Sequence, residues 1–130
     1  MLDTNVIIGC LRRNHALIEM VERNGKGHDL VISAITYGEL MVGIIKNDTP
    51  RRRGALAKAL TPIKVLDFNQ NAASVFGKIK ATLEESGNLI GAYDMQIAAH
   101  AMSEGYTVVT HNTKEFARVE GLNLVDWEDQ

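Results

Sequence analysis

Cys10 is the only cysteine in 130 residues. A disulfide within the chain and a cysteine-built zinc cluster are therefore excluded, and a lone thiol fits a reducing compartment. Excess charge is missing too: 14 Lys and Arg stand against 16 Asp and Glu, a net −2. Holding nucleic acid by bulk charge needs a strongly positive chain, so any such contact has to come from a local basic patch. No apolar run approaches the ~20 residues of a membrane-spanning helix. The opening MLDTNVIIGCLRRN lacks the basic-then-apolar order of a secretory leader, and a cytoplasmic location away from membranes is expected. There are two prolines, Pro50 and Pro62, no low-complexity linker and no internal repeat. Residues 1–130 are thus expected to form a single domain. The scattered glycines make no G-x-G-x-x-G or G-K-[ST] pattern, which removes the common phosphate-cradling loops.

What the chain does have is alternation. Short runs rich in branched aliphatics occur at residues 29–33 (DLVIS), 63–66 (IKVL), 107–110 (TVVT) and 122–125 (LNLV), each bounded by Gly, Asn, Pro or Asp. Residues 1–3 read as the end of a further strand. Between these runs lie helical patterns at 18–23 (continuing from His15), 37–46, 51–60, 71–86 and 92–103. The fourth places Ala72, Val75, Phe76, Ile79 and Leu83 three and four apart and stops at Gly87. Strands separated by helices predict an α/β fold, a parallel sheet with helices on both faces. Ligands in such sheets bind at the carboxyl ends of the strands.

Three acids fall at that edge. Asp3 sits where the first short strand gives way to helix, Glu39 follows DLVIS in the next helix start, and Asp94 opens the helix YDMQIAAHA. Each has a structural reading: Asp3 as a cap, Glu39 as a first-turn acid favoured by the helix dipole, Asp94 as a buried N-terminal cap. The three together carry a second reading. Carboxylates brought together without partners repel one another and raise each other's pKa. A hard cation such as Mg²⁺ or Mn²⁺ takes oxygen ligands and resolves the conflict. It also lowers the pKa of water and stabilises charge on a phosphoryl group. Spacing alone leaves both readings open.

At these same residues the chain resembles the PIN-domain ribonucleases, specifically the toxins of VapBC type II toxin–antitoxin pairs. The segments that carry the likeness are MLDTN (residues 1–5), SAITYGELMVG (33–43), IGAYDMQIAAHA (90–101), VVTHNTKEF (108–116) and GLNLVDW (121–127). The resemblance implies a three-layer α/β/α PIN-like domain with a five-stranded parallel sheet. It implies a Mg²⁺- or Mn²⁺-dependent endoribonuclease, blocked by an antitoxin of the VapB type and active as a homodimer. The subgroup it looks most like cuts tRNA, namely initiator tRNA in the anticodon stem-loop. Asp3, Glu39 and Asp94 match the family's catalytic and metal-binding acids, and Thr4 and Thr110 its supporting polar positions. The family's T-x-D motif reads Thr110-His111-Asn112 here, so Asn112 brings no charge and one well-held metal is expected rather than two. Glu115, three residues on, either contributes in its place or is a solvated helix residue, the second reading being slightly favoured. Family members carry several apolar residues ahead of MLDTN, so the first, central strand is expected to be short.

The remaining signals are weaker. Residues 46–64 hold six bases, and Arg51, Arg52 and Arg53 are the candidates for contact with RNA phosphates; a solvated helix is the plain alternative. The tail is opposite in sign, with Glu120, Asp126, Glu128 and Asp129, and is expected to lie away from RNA. His100 reads as packed, His111 as adjacent to the site, His15 and His28 as surface, and Cys10 as core rather than nucleophile. Ile7, Ile8 and Leu11 are the expected wall of an antitoxin groove. A PIN-like domain that binds nucleic acid without cutting it is the first alternative. A receiver-like phosphoacceptor domain is the second, and Asp67, after IKVL, lacks the acidic partners it would need.

Overall fold

The computed structural model describes residues 1–129; Gln130 and the side chain of Asp129 lie outside the described residues. Seven helices are present: α1 (Thr4–Leu11), α2 (His15–Gly25), α3 (Ala34–Lys46), α4 (Pro50–Leu60), α5 (Gln70–Ser86), α6 (Ala92–Glu104) and α7 (Thr113–Phe116). Four short strands lie between them: β1 (Val31–Ser33), β2 (Lys64–Leu66), β3 (Val108–Val109) and β4 (Leu124–Val125). A 3₁₀ turn follows at Trp127–Asp129.

The helix starts are written in the sequence. Asn14 Oδ1 accepts the Leu17 N–H at 3.2 Å, Thr49 Oγ1 the Arg52 N–H at 3.1 Å and Asn69 Oδ1 the Ala72 N–H at 3.0 Å. Pro50 occupies the first turn of α4, where its missing N–H costs nothing. Helix α3 begins at Ala34, three residues earlier than its apolar periodicity suggests. Ser33 ends β1 and caps α3 at once, its Oγ accepting the Ile35 N–H at 3.1 Å, so no loop intervenes. Gly87 ends α5 with φ +71, a left-handed conformation that favours glycine.

The expected five-stranded parallel sheet is found as two two-stranded parallel sheets, β1–β2 and β3–β4. The reason is the brevity of the N-terminal segment that runs between them. Leu2 N–H donates to Val31 O at 2.9 Å on one side. On the other side Asp3 N–H donates to Val109 O at 2.9 Å and Val109 N–H to Met1 O at 2.8 Å. That is one isolated bridge, Leu2 with Val109, too little to form a strand but enough to hold the halves side by side.

Alternation along these segments divides the core in two. Met1, Val31 and Val108 pack on one face with Ile79, Leu83, Ile97, Ala98 and Phe116. Their chain neighbours Leu2, Ile32 and Val109 pack on the other with Val6, Ile7, Leu17, Leu40, Ile44 and Leu56. Successive side chains of extended backbone point to opposite faces, so α5, α6 and α7 cover one side and α1 to α4 the other. Ile7 is only 2 % exposed; it belongs to this core and does not line a groove, contrary to the expectation from its sequence. Lys64 and Val65 of β2 are exposed, as suits an edge strand protected by charge.

Ile32 is completely buried whereas its edge-strand partner Val65 is 37 % exposed. Ile32→Ala should lower unfolding free energy by about 2–5 kcal/mol in urea denaturation, and Val65→Ala by less than about 1 kcal/mol.

Candidate active site

The carboxyl ends of β1 and β3 and the N-terminal segment between them bring the predicted acids to one edge. Asp3 is 2 % exposed. Its Oδ1 accepts the Thr4 backbone N–H at 2.7 Å and its Oδ2 the Thr110 hydroxyl at 2.9 Å. It is therefore both the cap of α1 and a fixed acid of the site, and the two readings of this residue coexist. Thr4 Oγ1 donates to Glu39 Oε1 at 2.7 Å and lies 3.1 Å from Thr36 Oγ1. A hydroxyl has one proton; with that proton on the carboxylate, the completely buried Thr36 supplies the other hydrogen of the pair. Thr36, one turn before Glu39 on α3, is a supporting residue that sequence reasoning passed over. A threonine inside an apolar stripe was its only signal.

Asp94, in the first turn of α6, has no hydrogen-bond donor among the described residues. Its pKa is raised to about 6, first by burial and then by the charges of Asp3, Glu115 and Glu39. Burial likewise raises the Asp3 carboxyl, against the opposing hydrogen bonds from Thr110 and Thr4. The site thus holds four carboxylates, not three. Glu115 is half-buried rather than solvated, because Asn112 Nδ2 donates to its Oε2 at 3.0 Å. Asn112 in turn is anchored by its own N–H, which donates to Thr110 Oγ1 at 2.9 Å. Its side chain makes no cap bond to α7; it holds the fourth acid in place of being one.

Among the described residues no lysine, arginine or histidine pairs with any of the four. Nor do their oxygens close to chelating distance as a set; only His111, Asp126 and Glu128 do so, within 4.8 Å. An all-oxygen set of acids without a cationic partner, one of them with a pKa raised by burial and by the others, is the donor chemistry that suits a hard divalent cation.

The other candidates sort as follows. Arg52 is occupied at the end of α3: its Nη1 donates to Gly43 O and to Asn47 O, each at 2.7 Å. Arg53 pairs with Asp48 through Nε at 2.6 Å and Nη2 at 2.8 Å. Of the three arginines, Arg51 alone is exposed with no partner among the described residues. His100 is fully buried; its Nδ1 lies 2.8 Å from Ser33 Oγ, its Nε2 is 2.8 Å from Glu104 Oε2 but misaligned for a hydrogen bond, and Phe68 meets it edge-on at 5.5 Å. His15 and His28 are exposed. Cys10 is half-buried, and burial and then Glu22 raise its thiol pKa, the opposite of an activated nucleophile.

Helices on both faces of parallel strands, with carboxylates gathered at the strands' carboxyl ends, define an α/β domain with an acidic edge. The PIN-domain family model matches residues 1–122. The chain is 40% identical over 129 residues to "Ribonuclease VapC2" of Haemophilus influenzae, covering 98% of this chain and 96% of that protein. It is 38% identical over 128 residues to "tRNA(fMet)-specific endonuclease VapC" of Shigella flexneri, with the same coverage. A solved structure of VapBC2 from Rickettsia felis bound to a promoter DNA fragment superposes with a TM-score of 0.89 at 30% identity, covering 96% of each chain. DNA-bound VapBC from Salmonella typhimurium gives 0.87 at 36% identity, covering 98% of this chain and 96% of that one. The chain belongs to the PIN-domain family, in its VapC branch.

The raised Asp94 pKa fixes a pH dependence. Folded protein binds more protons than unfolded protein between 3.8, the ordinary value, and about 6. Stability of the metal-free protein therefore falls as pH rises through that window. Asp94→Asn should remove much of this fall and raise the melting temperature at pH 7.5 by a few degrees, on the order of 1 kcal/mol after allowing for solvent screening. Thermal melts in EDTA from pH 4 to 7.5 measure it.

Proposed function

We propose that this single-domain chain is a divalent-metal-dependent endoribonuclease, the toxin of a toxin–antitoxin pair, with tRNA as substrate. The observation that carries the reading is the set of four carboxylates without a cationic partner among the described residues, with the Asp94 pKa raised by burial and by its acidic neighbours. Asp3, Glu39, Asp94 and Glu115 are the residues that would hold Mg²⁺ or Mn²⁺. When bound, such an ion offsets their charge, acidifies water and stabilises a phosphoryl transition state. The chain's own groups do the positioning. Thr4 and Thr110 fix Asp3 on both oxygens, Thr4 fixes Glu39, and Asn112 fixes Glu115. Asp94, left without a donor, is the carboxylate free to take the proton of an attacking water, and a base with a value near 6 works well close to neutral pH. Asp94 thus serves as base, and in-line attack at phosphorus yields hydrolysis. Arg51 is the phosphate contact that the basic stretch retains.

Several facts support the substrate and partner. Relatives from Shigella flexneri and Salmonella typhimurium bear the name tRNA(fMet)-specific endonuclease, which favours initiator tRNA cut in its anticodon stem-loop. The similar solved structures are VapBC complexes, which favours a VapB-type antitoxin. A basic side chain of that antitoxin suits the unpaired acids by charge-assisted hydrogen bonds. Tyr37, Val42 and Ile45 leave an apolar stripe of α3 exposed at 40, 53 and 65 %, a surface that suits the antitoxin or the second copy of a homodimer. No helix among the described residues is long and apolar enough to cross a membrane, in keeping with work on cytoplasmic RNA.

Incubation with total tRNA, with 5′-end mapping, tests the activity. Cleavage should require Mg²⁺ or Mn²⁺ and stop in EDTA, and Asp94→Asn should lower the rate at least about a hundredfold. Wild-type cleavage by Asp94→Asn would remove the site. RNA binding without cleavage in any metal would favour a non-catalytic PIN-like binding domain.

Asn112→Asp supplies a separate check. It replaces the donor to Glu115 with a fifth charge, so the metal-free protein should melt lower while Mn²⁺ binds several-fold tighter by calorimetry. Unchanged isotherms would take residue 112 out of the metal's reach.

A further inference from the structure

A second convergence of ligand-type side chains lies just beyond β3, made by residues other than the four acids. His111 Nδ1 stands 3.0 Å from Asp126 Oδ2 and 3.0 Å from Glu128 Oε2. His111 belongs to the loop after β3, whereas Asp126 and Glu128 come from the turn after β4, so the fold and not local sequence brings them together. Asp126 is already oriented: its Oδ1 accepts the Glu128 backbone N–H at 2.9 Å, which leaves Oδ2 for the imidazole side. Neither acid has a lysine or arginine partner among the described residues. The three side chains are 73, 14 and 37 % exposed, open to an ion from solution. They rim a cavity of about 210 Å³ that Asn5 and Asn14 also line.

We propose that His111, Asp126 and Glu128 form a second cation site, for a borderline first-row divalent ion of the Zn²⁺ type. Adjacent ligands on a tetrahedral ion with bonds of about 2.0–2.1 Å lie about 3.3–3.4 Å apart, so the 3.0 Å from Nδ1 to each carboxylate has to open by only a few tenths of an ångström to admit the ion. A neutral imidazole with two carboxylates carries two negative charges and balances a divalent ion. The nitrogen donor favours Zn²⁺ over Mg²⁺, which prefers oxygen alone. The imidazole separates this set from ordinary surface acids and from the all-oxygen site. Holding of one carboxylate oxygen by a backbone N–H is the outer support that ligands of real sites have. An ion there ties the 3₁₀ turn at Trp127–Asp129 to the loop whose Thr110 holds Asp3 and whose Asn112 holds Glu115. Its role is a brace for the catalytic edge, independent of whether that edge cuts RNA. The competing account is an ion pair centred on a protonated His111, which uses the same distances and takes up no metal.

Calorimetric titration of the full-length Asp94→Asn protein at pH 7.5 separates the two, because that variant weakens the carboxylate site. Zn²⁺ is expected to bind at one equivalent and to raise the melting temperature. His111→Ala, added to Asp94→Asn, should weaken Zn²⁺ binding at least tenfold and abolish the melting shift. Glu128→Gln, a milder change at an exposed position, should weaken it severalfold. Mg²⁺ binding should be the same with and without His111. No Zn²⁺ uptake by Asp94→Asn, or equal uptake with and without His111, overturns the proposal. A melting temperature that drops in His111→Ala while Zn²⁺ does nothing to the parent assigns the contact to an ion pair and overturns it equally.

Discussion

The pairing of the first three residues with strands on either side is the interaction on which the rest of the molecule depends. Leu2 N–H donates to Val31 O, Asp3 N–H to Val109 O, and Val109 N–H to Met1 O, all at 2.8–2.9 Å. Without that segment the β1–β2 and β3–β4 pairs would have no common edge. The alternation that sends Met1 into one hydrophobic cluster and Leu2 into the other would no longer divide the core. The same segment delivers Asp3 to the acidic edge with both carboxylate oxygens already bonded. Backbone geometry, core division and acid placement are three results of one short extended stretch.

Stability and chemistry pull against each other at that edge. Burial alone disfavours ionised Asp3 and Asp94, and mutual repulsion adds to the cost. The chain offsets part of it with neutral donors: two threonine hydroxyls, one backbone N–H and one amide. It brings no cation of its own, although arginines lie nearby in sequence. Arg52 and Arg53 are used elsewhere, on helix-end carbonyls and on Asp48. A lysine or arginine in the site would stabilise the fold by offsetting this charge. The acids without a cationic partner are the arrangement that leaves room for the divalent ion proposed above.

Much of this was legible in the residues. Branched aliphatic runs located all four strands, and apolar spacing with Pro50, Gly87 and Gly105 as boundaries located α2 to α6. Asp3 and Asp94 were legible as acids at helix starts, whereas Glu39, expected in a first turn, lies in the second turn of α3 because Ser33 starts that helix early. What escaped the sequence depended on contacts it does not encode locally. Glu115 looked like a solvated helix residue because its partner Asn112 makes it a site residue only through a side-chain bond. Thr36 looked like part of an apolar stripe because its role passes through Thr4, 32 positions away. Ile7 looked like groove wall because amphipathic spacing does not say which face a helix turns to the core. The three arginines looked alike, and only tertiary contacts separate them. The sheet was expected whole because the resemblance supplies a central strand longer than the one this chain forms.

The bond between Thr110 and Asp3 joins residues 107 positions apart. Loop closure over such a span is slow relative to local helix formation, and it has a consequence for synthesis. A chain emerging from the ribosome makes Asp3 first and must wait for β3 and Thr110 before that carboxylate has its second anchor and the N-terminal segment its second neighbour. Asp94 and Glu115 also arrive late. A nascent or prematurely ended chain that stops short of residue 108 therefore has α1 to α6 without the complete acidic edge, which is assembled only in the last fifth of its translation.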